Sequence, residues 1–161
     1  MANLLTNEKE LFEQIQNEHI TIAPGIWDLL YNKIGDDVSA INLLCQYYFS
    51  NQQEIPPEEA EKIITYVMDV KKIIEEITTT SKENFPFPQF KENIPLHPVI
   101  RELFTHYVNN DLYIITVIVG SFIDPEDTKS IPQDTIQKII EHTRAIRDFL
   151  EKLRQATFRT A

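Results

Sequence analysis

Leu112-Tyr-Ile-Ile-Thr-Val-Ile-Val-Gly-Ser-Phe-Ile123 is a run of twelve uncharged residues, fenced by Asp111 on one side and Asp124-Pro125 on the other. It falls short of the ~20 residues that a helix needs to cross a bilayer. Apolar all round, it is expected as a central element with neighbours on every side. Its β-branched content permits a strand, but no second strand of comparable strength exists for it to pair with, so a helix of about 111–124 is the reading adopted.

Upstream, Ile100, Leu103, Phe104, Tyr107 and Val108 share one helical face. On an unbroken helix Asp111 would land in the middle of that face, where an unpaired carboxylate is costly to bury. A break at Asn109-Asn110-Asp111 avoids the cost, with Asp111 capping the apolar helix. Were the helix continuous, Asp111 would be the polar group most in need of a reason. Gly120, inside the run, would allow close approach of another helix or of a ligand.

The rest of the chain reads as amphipathic helices. Residues 7–19 carry Leu11, Phe12 and Ile15 on one stripe, with Asn7 as N-cap and acids in the first turn. From Pro24 a second helix runs to Ile34, ended by Gly35 as the C′ residue, and a third covers about 37–51. Gly35 between two helices suggests a DNA-reading helix-turn-helix, but the reading helix has no cation to meet phosphate or guanine. Pro56-Pro57-Glu58-Glu59 opens a helix of about six turns, ended by Thr78-Thr-Thr-Ser81. Ser130-Ile-Pro-Gln133 has the form of a capping box. The helix after it places Ile136, Ile139, Thr143, Ile146, Leu150, Leu153 and Thr157 on a seven-residue seam, suited to a bundle or to a dimer made through this helix. No period of 20–50 residues recurs, which argues against a solenoid.

Between the fourth and fifth of these elements lies an irregular Phe/Pro-rich arm, residues 81–98. Alternating Phe and Pro make a stiff extended strip with apolar teeth, so Phe85, Phe87 and Phe90, with Leu96, are the candidate partner-binding residues. The fold class expected is all-α: one domain, residues 1–161, forming a bundle of five to seven helices around the apolar run.

The totals bound the function. Residues 1–128 hold 21 acids against 8 Lys/Arg, and residues 129–161 hold 4 against 7. An acidic body argues against nucleic acid, whose binding rests on cations that neutralise phosphate. Three glycines, at 25, 35 and 120, fit neither a dinucleotide fingerprint nor a P-loop. The single cysteine, Cys45, excludes an internal disulfide and a multi-cysteine zinc site. It falls on a helix seam with no cation nearby in sequence, which suits a small buried hydrophobe better than a nucleophile. No basic, apolar leader opens the chain, so the cytoplasm is expected.

Four histidines, at 19, 97, 106 and 142, form no metal-binding motif. Glu102 and His106 have the spacing of a surface ion pair. No catalytic residue, metal or cofactor is expected. The function read from these features is a non-catalytic helical interaction or regulatory protein, with a protein partner or a homodimer. The alternative is a sensor domain that holds an apolar small molecule, lipid-like or haem-like, between its helices. For that pocket the candidates are His106, Asp111 and Gly120.

Overall fold

A computed structural model of the chain describes residues 2–22, 27–79 and 97–157. Among these residues there are five helices and no strand. Helix α1 covers Ala2–Asn17. Helix α2 covers 27–50, with a π segment at Leu29–Ile34 that passes directly into α-helix at Gly35–Ser50. Helix α3 is Pro57–Thr79. Helix α4 covers 98–120, again with a π segment, Phe104–Val108, between two α-helical stretches. Helix α5 is Gln133–Thr157. The all-α bundle holds.

Helices α2, α3, α4 and α5 form a closed ring in which each packs on two neighbours, and α1 lies outside against α5 and the first turns of α4. Their directions follow from named pairs. Asn42 meets Thr143, and Tyr31 meets Glu151, so α2 and α5 run in opposite senses. Phe104 meets Phe149 while Asp111 meets His142, so α4 also opposes α5. Asp37 feels Asp69 while Tyr48 feels Glu59, so α3 opposes α2. The ring is therefore an up-down-up-down four-helix bundle. Its interior is filled by aliphatic side chains with a few aromatic ones, among them Ile41, Ile63, Phe104, Ile115 and Ile139, all fully buried.

Several local expectations are overturned. Helix α1 begins at Ala2, so position 7 lies inside it rather than at its start. Gly35 has φ −60° and ψ −41°, ordinary helical angles, so it ends no helix and there is no helix-turn-helix. The break at Asn109-Asn110-Asp111 is absent as well: Asp111 sits in the first turn of a stretch that continues the π segment without interruption. The real start of α4 is at His97, whose ring nitrogen Nδ1 accepts the Val99 N–H at 3.2 Å, with Pro98 in the first turn. Gln133 reaches across the bundle end and donates to the carbonyls of Tyr48 and Gln53, at 3.3 and 2.6 Å.

The apolar run 112–123 is one of four bundle helices rather than a surrounded axis. Leu112, Ile115 and Val119 are buried, but Tyr113 is 61% and Val117 53% exposed. The seam of the last helix, Ile136 through Thr157, is buried within this chain's own bundle and leaves no free seam for a dimer.

The two hairpins, α2–α3 and α4–α5, repeat one another. In the first helix of each, equivalent residues lie 74 apart: Leu29 and Leu103, Asp37 and Asp111, Ile41 and Ile115, and in the sequence Pro24 and Pro98, and Ile26 and Ile100, share that spacing. In the second helix and the two residues before it they lie 76 apart: Ile55-Pro56 and Ile131-Pro132, Lys62-Ile63-Ile64 and Lys138-Ile139-Ile140, Glu75 and Glu151. Burial follows the same register. Leu30, Ile34, Val38, Ile41 and Cys45 are buried, and so are Phe104, Val108, Leu112, Ile115 and Val119. The π segments coincide, and each touches the second helix of its own hairpin. Ile55 and Ile131, equivalent residues, exchange backbone hydrogen bonds of 3.0 and 2.8 Å as an isolated antiparallel bridge. The reciprocal bonds are the ordinary pattern of an antiparallel bridge, and the order of the four helices in the ring relates α2 to α4 and α3 to α5 as by a pseudo-two-fold axis along the bundle.

Candidate functional site

Three surface features carry the chemistry of the described residues. The first is built where the π segment of α4 ends. Asp111 follows that segment and faces α5, where Nδ1 of His142 lies 2.9 Å from its Oδ1 and an ionised carboxylate accepts the ring proton. Burial pushes the Asp111 carboxyl above the ordinary carboxylate range, and the histidine opposes that push. Beside the pair opens a cleft of about 260 Å³ lined by Glu8, Tyr107, Asp111, Ala145, Asp148, Phe149 and Lys152. Its charges are largely spent on one another. Lys152 pairs with Glu8 at 3.3 Å and stands 4.5 Å over the Phe12 ring.

The equivalent carboxylate of the first hairpin, Asp37, is also half-buried and also raised, by burial first and then by Asp69 and Asp36, with Lys33 acting against them. Its hairpin partner helix offers Tyr66 where α5 offers His142. The repeat thus places an acid at the same position twice and gives only the second one a histidine. Asp–His geometry can orient an imidazole, but acyl transfer also needs a nucleophile within reach of the other ring nitrogen. Cys45 does not serve, because burial pushes its thiol up to about 12.

The second feature is a cleft of about 300 Å³ between α2 and α5, lined by Tyr31, Asn32, Gly35, Asp36, Ser39, Arg147 and Leu150. Tyr31 donates to Glu151, whose carboxyl is held low by that bond first, and the Arg154 guanidinium lies 5.5 Å from the Tyr31 ring. Of the residues lining this cleft, Tyr31 is thus engaged by α5 at its rim.

The third feature is a pair of uncharged outer faces. From Val38 to Gln53 the chain has no charged residue, although it forms most of an exposed helix. On the outer side of α2, Leu43 is 69% and Tyr47 60% exposed. The equivalent side of α4 presents Tyr113 and Val117 within the uncharged run 112–123. Residues four apart on a helix stand one above the other, so each face carries a two-residue apolar ridge.

The three ligand-pocket candidates do not converge. His106 is exposed and stands 3.8 Å from Glu102, a loose surface pair. Asp111 lines the first cleft. A Cβ added to Gly120 would meet no described atom beyond its own helix backbone within 4 Å, so none of the described residues makes the close approach expected there. Phe85, Phe87, Phe90 and Leu96 lie outside the described residues. Sequence reasoning missed Leu43 and Tyr47, although the sixteen-residue absence of charge that flags them is plain in the sequence. The pairing of His142 with Asp111 was not legible either, since a contact between positions 31 residues apart has no local signature. Among the described residues no group of three or more His, Cys, Asp or Glu could hold a metal ion, and no helix is long and apolar enough to cross a membrane.

No protein-family model, no curated protein and no solved structure matches this chain.

Proposed function

We propose that this protein is a non-catalytic interaction or regulatory module of the cytoplasm that works by presenting uncharged helical faces to protein partners. The observation that carries the reading is the outer side of α2, where Leu43 and Tyr47 stand open to water in a stretch without a single charge. Solvent faces of helices are normally charged or polar, as the outer sides of α3 and α5 are, with Glu58, Glu61, Lys62, Asp69, Lys138, Arg144 and Arg147. Tyrosine supplies large contact area at small entropic cost and is favoured at the centre of interfaces. The volume between the helices that an apolar ligand would need is occupied by Ile63, Val67, Ile115 and Ile139, all fully buried, which leaves the sensor alternative without an observation in its favour.

A photo-reactive amino acid at position 43 of the whole chain, expressed in its own cell, tests the reading. A discrete protein adduct is expected from position 43, diminished when Tyr47 is changed to Lys, and absent when the probe sits at position 61 on the charged side of α3. Equal labelling from 43 and 61, or none from either, would remove the proposal.

A further inference from the structure

The cleft between α2 and α5 differs from the one beside Asp111 in what its charges do. Beside Asp111, Glu8 pairs with Lys152 and Asp111 with His142. In the α2–α5 cleft, Asp36 stands on one wall and Arg147 on the other. Neither makes a hydrogen bond or an ion pair among the described residues, with each other or with any neighbour. Each is left free for a local reason. Glu151, four residues on from Arg147 and placed to pair with it, accepts from Tyr31, Arg154 and Gln155 instead. Asp148 lines the other cleft. On α2, Lys33 lies three residues before Asp36, but its charge is felt at Asp37. The side chains of Asn32 and Ser39 share the lining and are also unbonded among the described residues.

We infer that this cleft is a binding site for a small zwitterion, a free α-amino acid with an uncharged side chain, held with its ammonium group at Asp36 and its carboxylate at Arg147. This goes beyond the interaction reading and does not depend on it.

The lining selects that class. One acid and one base, opposed and unspent, match a molecule that carries one ammonium and one carboxylate, and arginine presents a planar fork to a carboxylate. Asn32 and Ser39 each offer a donor and an acceptor beside them. No other charged residue lines the cleft, so a charged ligand side chain would find no counter-charge. A zwitterion has no net charge, so the chain's own −10 does not repel it. At about 300 Å³ the cleft lies at the lower limit of ligand sites, ~300–1,000 Å³, which suits a molecule of amino-acid size. Leu150, 3% exposed, gives it an apolar floor.

The internal repeat supplies a control. At the equivalent seat between α4 and α3, Asn109 and Tyr113 stand in place of Gly35 and Ser39, Asn110 in place of Asp36, and Lys71 in place of Arg147. That copy keeps the cation, lacks the acid and carries bulkier side chains. A Cβ at Gly35, by contrast, would meet nothing beyond its own helix backbone within 4 Å. The cleft also lies on the π segment of α2, to which Tyr31 and Asn32 belong, and π turns are frequent at functional sites.

NMR titration of the whole isotope-labelled chain with alanine and with valine, each to millimolar concentration, tests the site. Saturable shifts are expected in the amides of 31–39 and 147–151. Acetate, ethylammonium, glutamate and lysine each leave a charge of the cleft unmet or add one, and should bind about tenfold more weakly than alanine or worse. Arg147→Gln and Asp36→Asn, both at exposed positions, should each weaken alanine binding by a similar factor, with thermal melts matched to wild type. Gly35→Asn, which installs the residue of the equivalent seat, should abolish it. The absence of a saturable shift with either amino acid overturns the inference. So does binding of any of the four comparison ligands as tightly as alanine, which would make the cleft a plain charge seat, or alanine binding that Arg147→Gln and Asp36→Asn leave unchanged.

Discussion

Asp111 is the residue at which sequence and structure disagree most usefully. An unbroken helix was the condition under which it would need an explanation, and the helix is unbroken. The explanation is His142, which meets it from α5, yet burial still dominates and holds its carboxyl above the ordinary range. Glu8, Asp148 and Lys152 share the same cleft. A raised carboxyl pKa means that the folded chain holds this proton more tightly than the unfolded chain does. Stability from this group is therefore present at acid pH and is lost as pH rises through the raised value. Asp111→Asn removes the buried charge and keeps an acceptor for His142. It should raise the urea midpoint at pH 7, with the gain shrinking as pH falls towards the ordinary aspartate value of ~3.9. A lower midpoint at pH 7 would mean that the ion pair outweighs burial. Cys45 offers a second test at this scale. With its thiol fully buried and pushed up to about 12, it should react with a thiol reagent only as fast as the chain unfolds. Labelling at the rate of an exposed thiol would contradict its place in the core.

The two missing breaks have one cause among the elements. Leu30, Ile34 and Val38 lie four apart, as do Phe104, Val108 and Leu112, and all six are buried. Successive steps of four drift round an ideal α-helix by about 40° each. The π turns at Leu29–Ile34 and Phe104–Val108 are wider and take up that drift, so the same face stays inward. Three buried positions in a row at spacing four were the available signal. Read on an ideal 3.6-residue helix, they put Asp111 on the core face and invited a break that the chain never makes. Gly35 misled for a different reason, since glycine after an apolar stretch commonly ends helices by adopting positive φ. Here it is helical, with open space where a Cβ would point. Gly35→Ala should therefore stabilise the chain by about 1 kcal/mol, the usual glycine penalty inside a helix, and raise Tm by ~2–4 °C. Had Gly35 been a left-handed C′ residue, the same change would lower Tm, so calorimetry on this one variant separates the two backbones.

For the molecule as a whole, composition and amphipathic period were enough to establish an all-α bundle, because burying one stripe per helix has few other solutions. The duplication was less legible: its spacing of 74 to 76 residues lies beyond the window in which solenoid repeats are sought, and most equivalent pairs share only apolar character. Partnership between the hairpins was not legible at all, since it depends on which helices become neighbours. The symmetry also isolates what is particular to one side. Across the α2–α5 contact, buried Asn42 donates to Thr143 at 2.9 Å, and Thr143 in turn donates to the Ile140 carbonyl at 2.8 Å. The equivalent positions across α3–α4 are Thr116 and Val67, where Thr116 bonds the Leu112 carbonyl of its own helix and Val67 is apolar and fully buried. The chain therefore contains both a polar and a largely apolar solution for the same packing site. Thr143→Val alone leaves the buried Asn42 amide unpaired and should cost about 1–3 kcal/mol. Adding Asn42→Thr rebuilds the arrangement already found across the axis. The double variant should return to within about 1 kcal/mol of wild type, an interaction energy that a denaturant double-mutant cycle measures. Additive losses in that cycle would mean that the two sites are not equivalent environments, and the pseudo-two-fold reading of the bundle would lose its energetic basis.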